Sequence, residues 1–74
     1  MMRMTIEEAV YDLGIPKTKL ARRIGIPLPY LYAYLEPIKY KLFRLDENKL
    51  RRIAAFEGRS LTAVRRTYES RRAA

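Results

Sequence analysis

The sequence predicts an all-α fold, a small five-helix bundle forming one domain over residues 1–74. Three observations lead there. Apolar residues recur at three- and four-residue spacing in five segments. Three of those segments run into a glycine, Gly14, Gly25 or Gly58, the residue that most readily ends a helix. Three follow Thr5, Asp46 or Ser60, whose side-chain oxygens can cap the first unbonded N–H groups of a helix. With 49% apolar and 32% charged residues, the 74-residue chain has the composition of a folded helical domain and not of a disordered one.

The first helix is expected to start at Thr5, which forms a capping-box spacing with Glu8. Ile6, Val10 and Leu13, with Ala9, fall on one face, and Gly14 stops the helix. Pro16 suits the opening of the second helix, whose buried stripe is Leu20, Ala21 and Ile24. Lys17, Lys19, Arg22 and Arg23 then face water or phosphate. Gly25 permits a left-handed turn, Ile26 plugs it, and the third helix runs over 28–35 until Pro37 ends it. Pro27 and Pro29 are tolerable only in the turn and the first helical turn. The stretch Ile38 to Leu45, IKYKLFRL, alternates apolar and basic residues, which reads either as a short extended wing or as an ordered, solvated loop anchored by Leu42 and Phe43. Asp46 caps a fourth helix with Leu50, Ile53, Ala54 and Phe56 mostly inward, and Gly58 closes it. Ser60 caps a fifth, with Leu61, Val64 and Tyr68 at helical spacing, and a tail expected to fray from Arg71.

Several function classes are disfavoured at once. The chain holds neither cysteine nor histidine, which removes disulfides, thiolate metal sites and the commonest general base. No nucleophile–base pair, metal cluster or phosphate loop is present. Adjacent carboxylates at Glu7–Glu8 and Asp46–Glu47 are explained by helix starts. No enzyme, cofactor or metal is therefore expected. The apolar runs are too short for a membrane span, so the expected location is the cytoplasm, at the nucleoid. Sixteen basic residues against eight acidic ones leave a net charge of +8, the electrostatic footprint of a nucleic-acid binder.

Leu13 to Glu36 has the layout of a helix-turn-helix. Such a unit needs a small residue where its helices cross, a glycine at the turn, an aliphatic after it, and aliphatics inside the second helix. Ala21, Gly25, Ile26 and Leu31 meet these needs in order, with Leu20 and Ile24 as further core, and Tyr34 or Leu35 completing the packing. A helical hairpin with a glycine turn would satisfy the same spacing. Leu13–Glu36, followed by LRRIAAFEGRSLTAVRR from Leu50 to Arg66, resembles the Cro/C1-type (XRE-family) helix-turn-helix domain of phage and bacterial repressors. The resemblance implies a lambda-repressor-like five-helix domain that binds operator DNA, commonly as a symmetric dimer, and hence a small phage- or plasmid-type or bacterial transcriptional regulator.

The chain departs from that pattern in three ways. The connection from Glu36 to Asp46 is long, Pro27 replaces the polar cap of the third helix, and the usual base-reading positions fall on Leu28, Pro29, Tyr32 and Ala33. None of these makes the bidentate contacts by which Arg, Asn or Gln reads a base. Leu28 and Ala33 would touch thymine methyls, and Tyr30 and Tyr32 would reach phosphates or a base edge through their hydroxyls. The expected DNA-binding set is therefore Lys17, Lys19, Arg22, Leu28, Pro29, Tyr30, Tyr32, Ala33, Lys39, Tyr40, Lys41 and Arg44, with the last four clamping phosphate. Since Tyr30, Tyr32 and Tyr34 cannot share one helical face, at least one is expected to be exposed.

Two alternatives follow from the same residues. The long basic connection is similar to the wing of excisionases and MerR-type regulators, which would place Lys39, Lys41 and Arg44 on a wing touching the minor groove or the backbone. The apolar third helix also fits a protein-interaction module that docks a partner, or a second copy, through Leu28, Tyr30, Tyr32 and Leu35. RNA stacking on the tyrosines is a weaker third reading. The basic end of the last helix, Arg65, Arg66, Arg71 and Arg72, reads equally as a phosphate contact and as a solvated face.

Overall fold

A computed structural model describes residues 3–74, and every described regular element is helical. A π-helical segment, Glu8–Asp12, is followed by α1 (Lys17–Ile24), α2 (Leu28–Leu35), α3 (Glu47–Glu57) and α4 (Leu61–Arg72). The expected all-α bundle is what the chain forms. Its core gathers Ile6, Leu20, Leu31, Tyr34, Ile53 and Val64, one or more from each helical element or its lead-in, all essentially sealed from solvent.

Local chemistry sets most boundaries. Thr5 and Glu8 form the reciprocal capping box: the Glu8 carboxylate accepts from the Thr5 amide at 2.8 Å and the Thr5 hydroxyl accepts from the Glu8 amide at 3.1 Å. Asp46 and Ser60 cap α3 and α4, accepting from Lys49 and Ala63 amides at 2.9 and 3.1 Å. α2 occupies the expected 28–35, with Pro27 at its N-cap and Glu36 at its C-cap. Gly25 takes φ +90°, and a Cβ there would lie 2.9 Å from the Arg52 guanidinium. Gly58 takes φ +67°, and the Arg3 side chain fills the space a Cβ would need while donating to the Ala55 carbonyl at 2.9 Å.

Four expectations are corrected. Of the two readings open for 38–45 the extended wing falls and the ordered loop holds: no strand occurs among the described residues, and 37–42 are consecutive turns. The Tyr40 amide donates to the Glu36 carbonyl at 3.1 Å and the Phe43 amide to Tyr40 at 3.0 Å, bonds that coil the segment. Of the apolar residues in its alternation, Ile38 and Leu42 are 53% and 90% exposed, so Leu42 does not serve as the expected anchor. Pro37 and Leu45 are buried at the segment's two ends, and Tyr40 and Phe43 pack onto α2 between them. Second, Leu13 leaves the face of Ile6 and Ala9 and is 60% exposed. The Leu13 amide bonds the Glu8 carbonyl, an i→i+5 closure that takes up one extra residue and rotates Leu13 outward.

Third, α4 continues through Arg72 instead of fraying at Arg71. Arg71 is tied down by the Tyr34 carbonyl at 2.9 Å and by an ion pair with Glu7. The fourth correction concerns Ala33, an expected base contact, which is completely buried. α2 touches α1 on one side, the 37–45 segment through Tyr32 and Tyr40, and α4 through Tyr34 and Tyr68, so none of its eight residues is fully exposed.

Candidate nucleic-acid interface

The charges divide sharply along the chain. Between Leu13 and Arg44 there are seven basic residues, Lys17, Lys19, Arg22, Arg23, Lys39, Lys41 and Arg44, against one acid, Glu36. Not one of the seven forms an ion pair among the described residues. From Leu45 onward, six of eight basic residues are paired: Lys49 with Asp46, Arg51 and Arg65 with Glu47, Arg59 with Glu57, Arg71 with Glu7, and Arg72 with Glu69. Unpaired cations on one stretch are available to a polyanion; paired ones must first give up a partner.

Two aromatic contacts hold part of this basic stretch in place. Tyr32 of α2 stacks on Tyr40 with ring centroids 5.3 Å apart, and Tyr30 meets Phe43 edge-on at 5.7 Å. Lysines lean on the same rings: Lys17 lies 5.7 Å from the Tyr32 centroid, Lys39 5.6 Å from Tyr40, and Lys49 4.4 Å from Tyr30. Each such contact contributes about 0.5–1 kcal/mol near a surface and leaves the ammonium charged. α1, α2 and the connection are thereby joined into one basic, aromatic surface.

The structure brings together Lys17, Tyr32, Lys39 and Tyr40 from the expected set, while Tyr30 meets Phe43 and Lys49 instead. Lys19, Arg22, Lys41 and Arg44 are exposed and make no side-chain hydrogen bond or ion pair among the described residues. Leu28 and Pro29 are half-buried at the start of α2, with Leu28 packed on the core, so each offers only an edge. Ala33 is removed from the set by its burial. Neither Tyr30 nor Tyr32 stands fully exposed, since the connection covers part of each ring, while Tyr34 is buried outright.

Sequence reasoning missed Lys49 and Arg52, and named Phe43 only as an anchor of the connection. The Arg52 guanidinium sits against Gly25 at the α1–α2 turn, although it belongs to α3. No local signal marks Arg52 as a neighbour of that turn, because only the packing of α1 on α3 brings it there. Phe43 carried a signal in its three-residue spacing from Tyr40, which suits a turn better than a strand.

The electrostatically perturbed groups serve the fold. Backbone and side-chain hydrogen bonds from Thr5 hold the Glu8 carboxyl below its ordinary value. The Lys49 amide does the same for Asp46, and Arg51, with Arg65 beyond it, for Glu47. Burial, and then the charge of Glu57, pushes the Tyr34 hydroxyl far up; that hydroxyl has no hydrogen-bond partner. Burial lowers Arg71. Glu57 is the one buried charged side chain among the described residues, and it accepts from the Ile6 amide at 2.8 Å, fastening the N-terminal segment to the end of α3.

Among the described residues no group of three or more acidic side chains could hold a metal ion, and no helix is long and apolar enough to cross a membrane. A concavity of about 420 Å³ lies along α4 between Arg59, Arg66, Thr67, Ser70 and Arg71. Arg59 and Arg71 there are already bonded within the chain. A second, more apolar one of about 400 Å³ runs between Leu35, Pro37, Ile38 and Arg71. No protein-family model, curated protein or solved structure matches this chain.

Proposed function

We propose that this protein binds double-stranded DNA as a small regulator of the helix-turn-helix kind, in keeping with its resemblance to Cro/C1-type domains. The observation that carries the reading is the set of seven unpaired cations on α1 and the 39–44 connection, beside a C-terminal half whose cations are mostly consumed. In this reading α2 approaches the major groove by the edges of Leu28, Pro29, Tyr30 and Tyr32. Lys17, Lys19, Arg22, Lys39, Lys41 and Arg44 hold the flanking phosphates. Phosphate contacts position a protein without reading sequence. With no polar base-reading side chain on α2, preference arises from groove shape, deformability and thymine-methyl contact.

The test is a salt titration of affinity for a mixed-sequence duplex, read by fluorescence anisotropy. If all six cations contact phosphate, log K falls against log salt with a slope of about −5. No binding at about 0.15 M salt sinks the proposal. Selection from a random DNA pool then reads preference, and a recovered palindrome would establish a dimer.

A second reading is kept on one observation, the apolar concavity beside Leu35 and the exposed Ile38, which offers a seat for a protein partner or a second copy. It predicts a partner whose capture is lost on Ile38→Asp while duplex affinity is unchanged.

A further inference from the structure

Leu42 is 90% exposed, the most exposed of the large apolar side chains singled out on this surface. It occupies the outer corner of the turn closed by the 3.0 Å bond from the Phe43 amide to the Tyr40 carbonyl. On either side of that corner Tyr40 stacks on Tyr32, and Phe43, still 38% exposed, meets Tyr30 edge-on. Further out, Leu45 is buried and its amide donates to the Tyr68 hydroxyl at 3.1 Å. Leu42 is therefore an apolar tip on an anchored base. It is surrounded along the chain by Lys39, Lys41 and Arg44, which have no acidic partner among the described residues.

An exposed leucine is ordinary on a surface by itself. One raised on a hydrogen-bonded turn packed on α2, amid unpaired cations, has a specific chemistry. The cations draw the turn onto a sugar-phosphate backbone, and the leucine then meets base edges, where it has no hydrogen bond to offer and only stacking surface to gain. Proteins that enter the minor groove insert such apolar side chains between base pairs, partly unstacking a step and kinking the duplex by about 20–90°. We propose that Leu42 is a DNA wedge, inserted from the 39–44 turn at a flexible pyrimidine–purine step such as TpA. This rests on the DNA-binding reading and adds the recognition device that α2 lacks: preference through the ease of kinking a step.

The experiment uses the whole chain and a duplex of about 20 base pairs carrying 2-aminopurine at a central TpA step, with dyes at its ends. The parent protein is expected to brighten the 2-aminopurine several-fold and to shorten the end-to-end distance read by energy transfer. Leu42→Ala should lose both signals while keeping the circular dichroism spectrum, the salt slope, and an affinity for mixed duplex within roughly threefold of the parent. Leu42→Phe should keep them. Binding without brightening, or equal brightening with Leu42→Ala, overturns the wedge and leaves DNA binding standing. Absence of duplex binding by the parent overturns both readings. Sedimentation with phosphatidylserine vesicles that depends on Leu42, without duplex binding, also overturns the wedge and assigns the tip to a lipid surface.

Discussion

The stretch from Leu13 to Arg44 and the stretch from Leu45 to Ala74 are both basic, yet they use their charge in opposite ways. In the second, Glu47 joins Arg51 of its own helix to Arg65 of α4, and Arg71 reaches both Glu7 and the Tyr34 carbonyl. Those guanidiniums tie helices together. In the first, Lys17 and Lys39 lean on tyrosine rings and form no ion pair. Net charge alone therefore overstates the polyanion surface of the C-terminal half. What matters is which cations remain after the fold has satisfied its own acids.

The largest expected effect tests that division directly. Replacing Lys39, Lys41 and Arg44 together with alanine should weaken duplex binding about a hundredfold at physiological salt and flatten the salt slope by about 3. The matched change of Arg51, Arg65 and Arg72 should weaken it only roughly threefold, because screened charges away from the contact contribute little. Equal losses in the two variants would erase the distinction.

Stability should show the reverse order. Arg71→Ala removes the bond to the Tyr34 carbonyl, the Glu7 pair and a contact with the Tyr34 ring at 5.0 Å. It should cost about 1–2 kcal/mol in chemical denaturation. Arg22→Ala, on an exposed and unpaired residue, should stay within about 0.5 kcal/mol. A cost at Arg22 matching that at Arg71 would show hidden structural work in the basic stretch.

Acid should loosen the capped elements. Folding lowers the pKa of Glu8, Asp46 and Glu47 because their charged forms accept hydrogen bonds from Thr5, Lys49 and Arg51 respectively. Their stabilisation is complete above the ordinary carboxylate range, about 4, and drains as pH falls through the lower folded values. The thermal midpoint should therefore drop on acidification below about pH 4, and Asp46→Asn, which keeps a capping oxygen, should blunt the drop. A midpoint indifferent to pH there would remove the caps from the account.

The smallest expected effect concerns Tyr34. Its hydroxyl is buried without a partner, so Tyr34→Phe should be neutral or stabilising by up to about 1 kcal/mol. A clear loss of stability would show that Arg59 or Glu57, which act on this hydroxyl electrostatically, bonds it in solution.

Much of the fold was readable because its instructions are local. Gly25, Pro27 and Pro37 bracket α2 at Leu28–Leu35, and Thr5, Asp46 and Ser60 cap the elements they precede. Each acts within four residues along the chain, where backbone geometry and one hydrogen bond decide. The candidate surface was readable in part, through the basic residues of α1 and the connection.

What the sequence determined by itself is the helical class, the caps and turns, and the excess of cations between Leu13 and Arg44. Only the tertiary structure decided the rest. It coiled 37–42 instead of extending it, buried Ala33, brought Arg52 to Gly25, and left Leu42 at the tip of a turn packed on α2. These outcomes depend on contacts between separate elements, Tyr32 of α2 with Tyr40 of the connection and Tyr34 with Tyr68 of α4 among them. A local pattern specifies which way a side chain could face. Burial against another element decides whether it meets water, an acid or a partner.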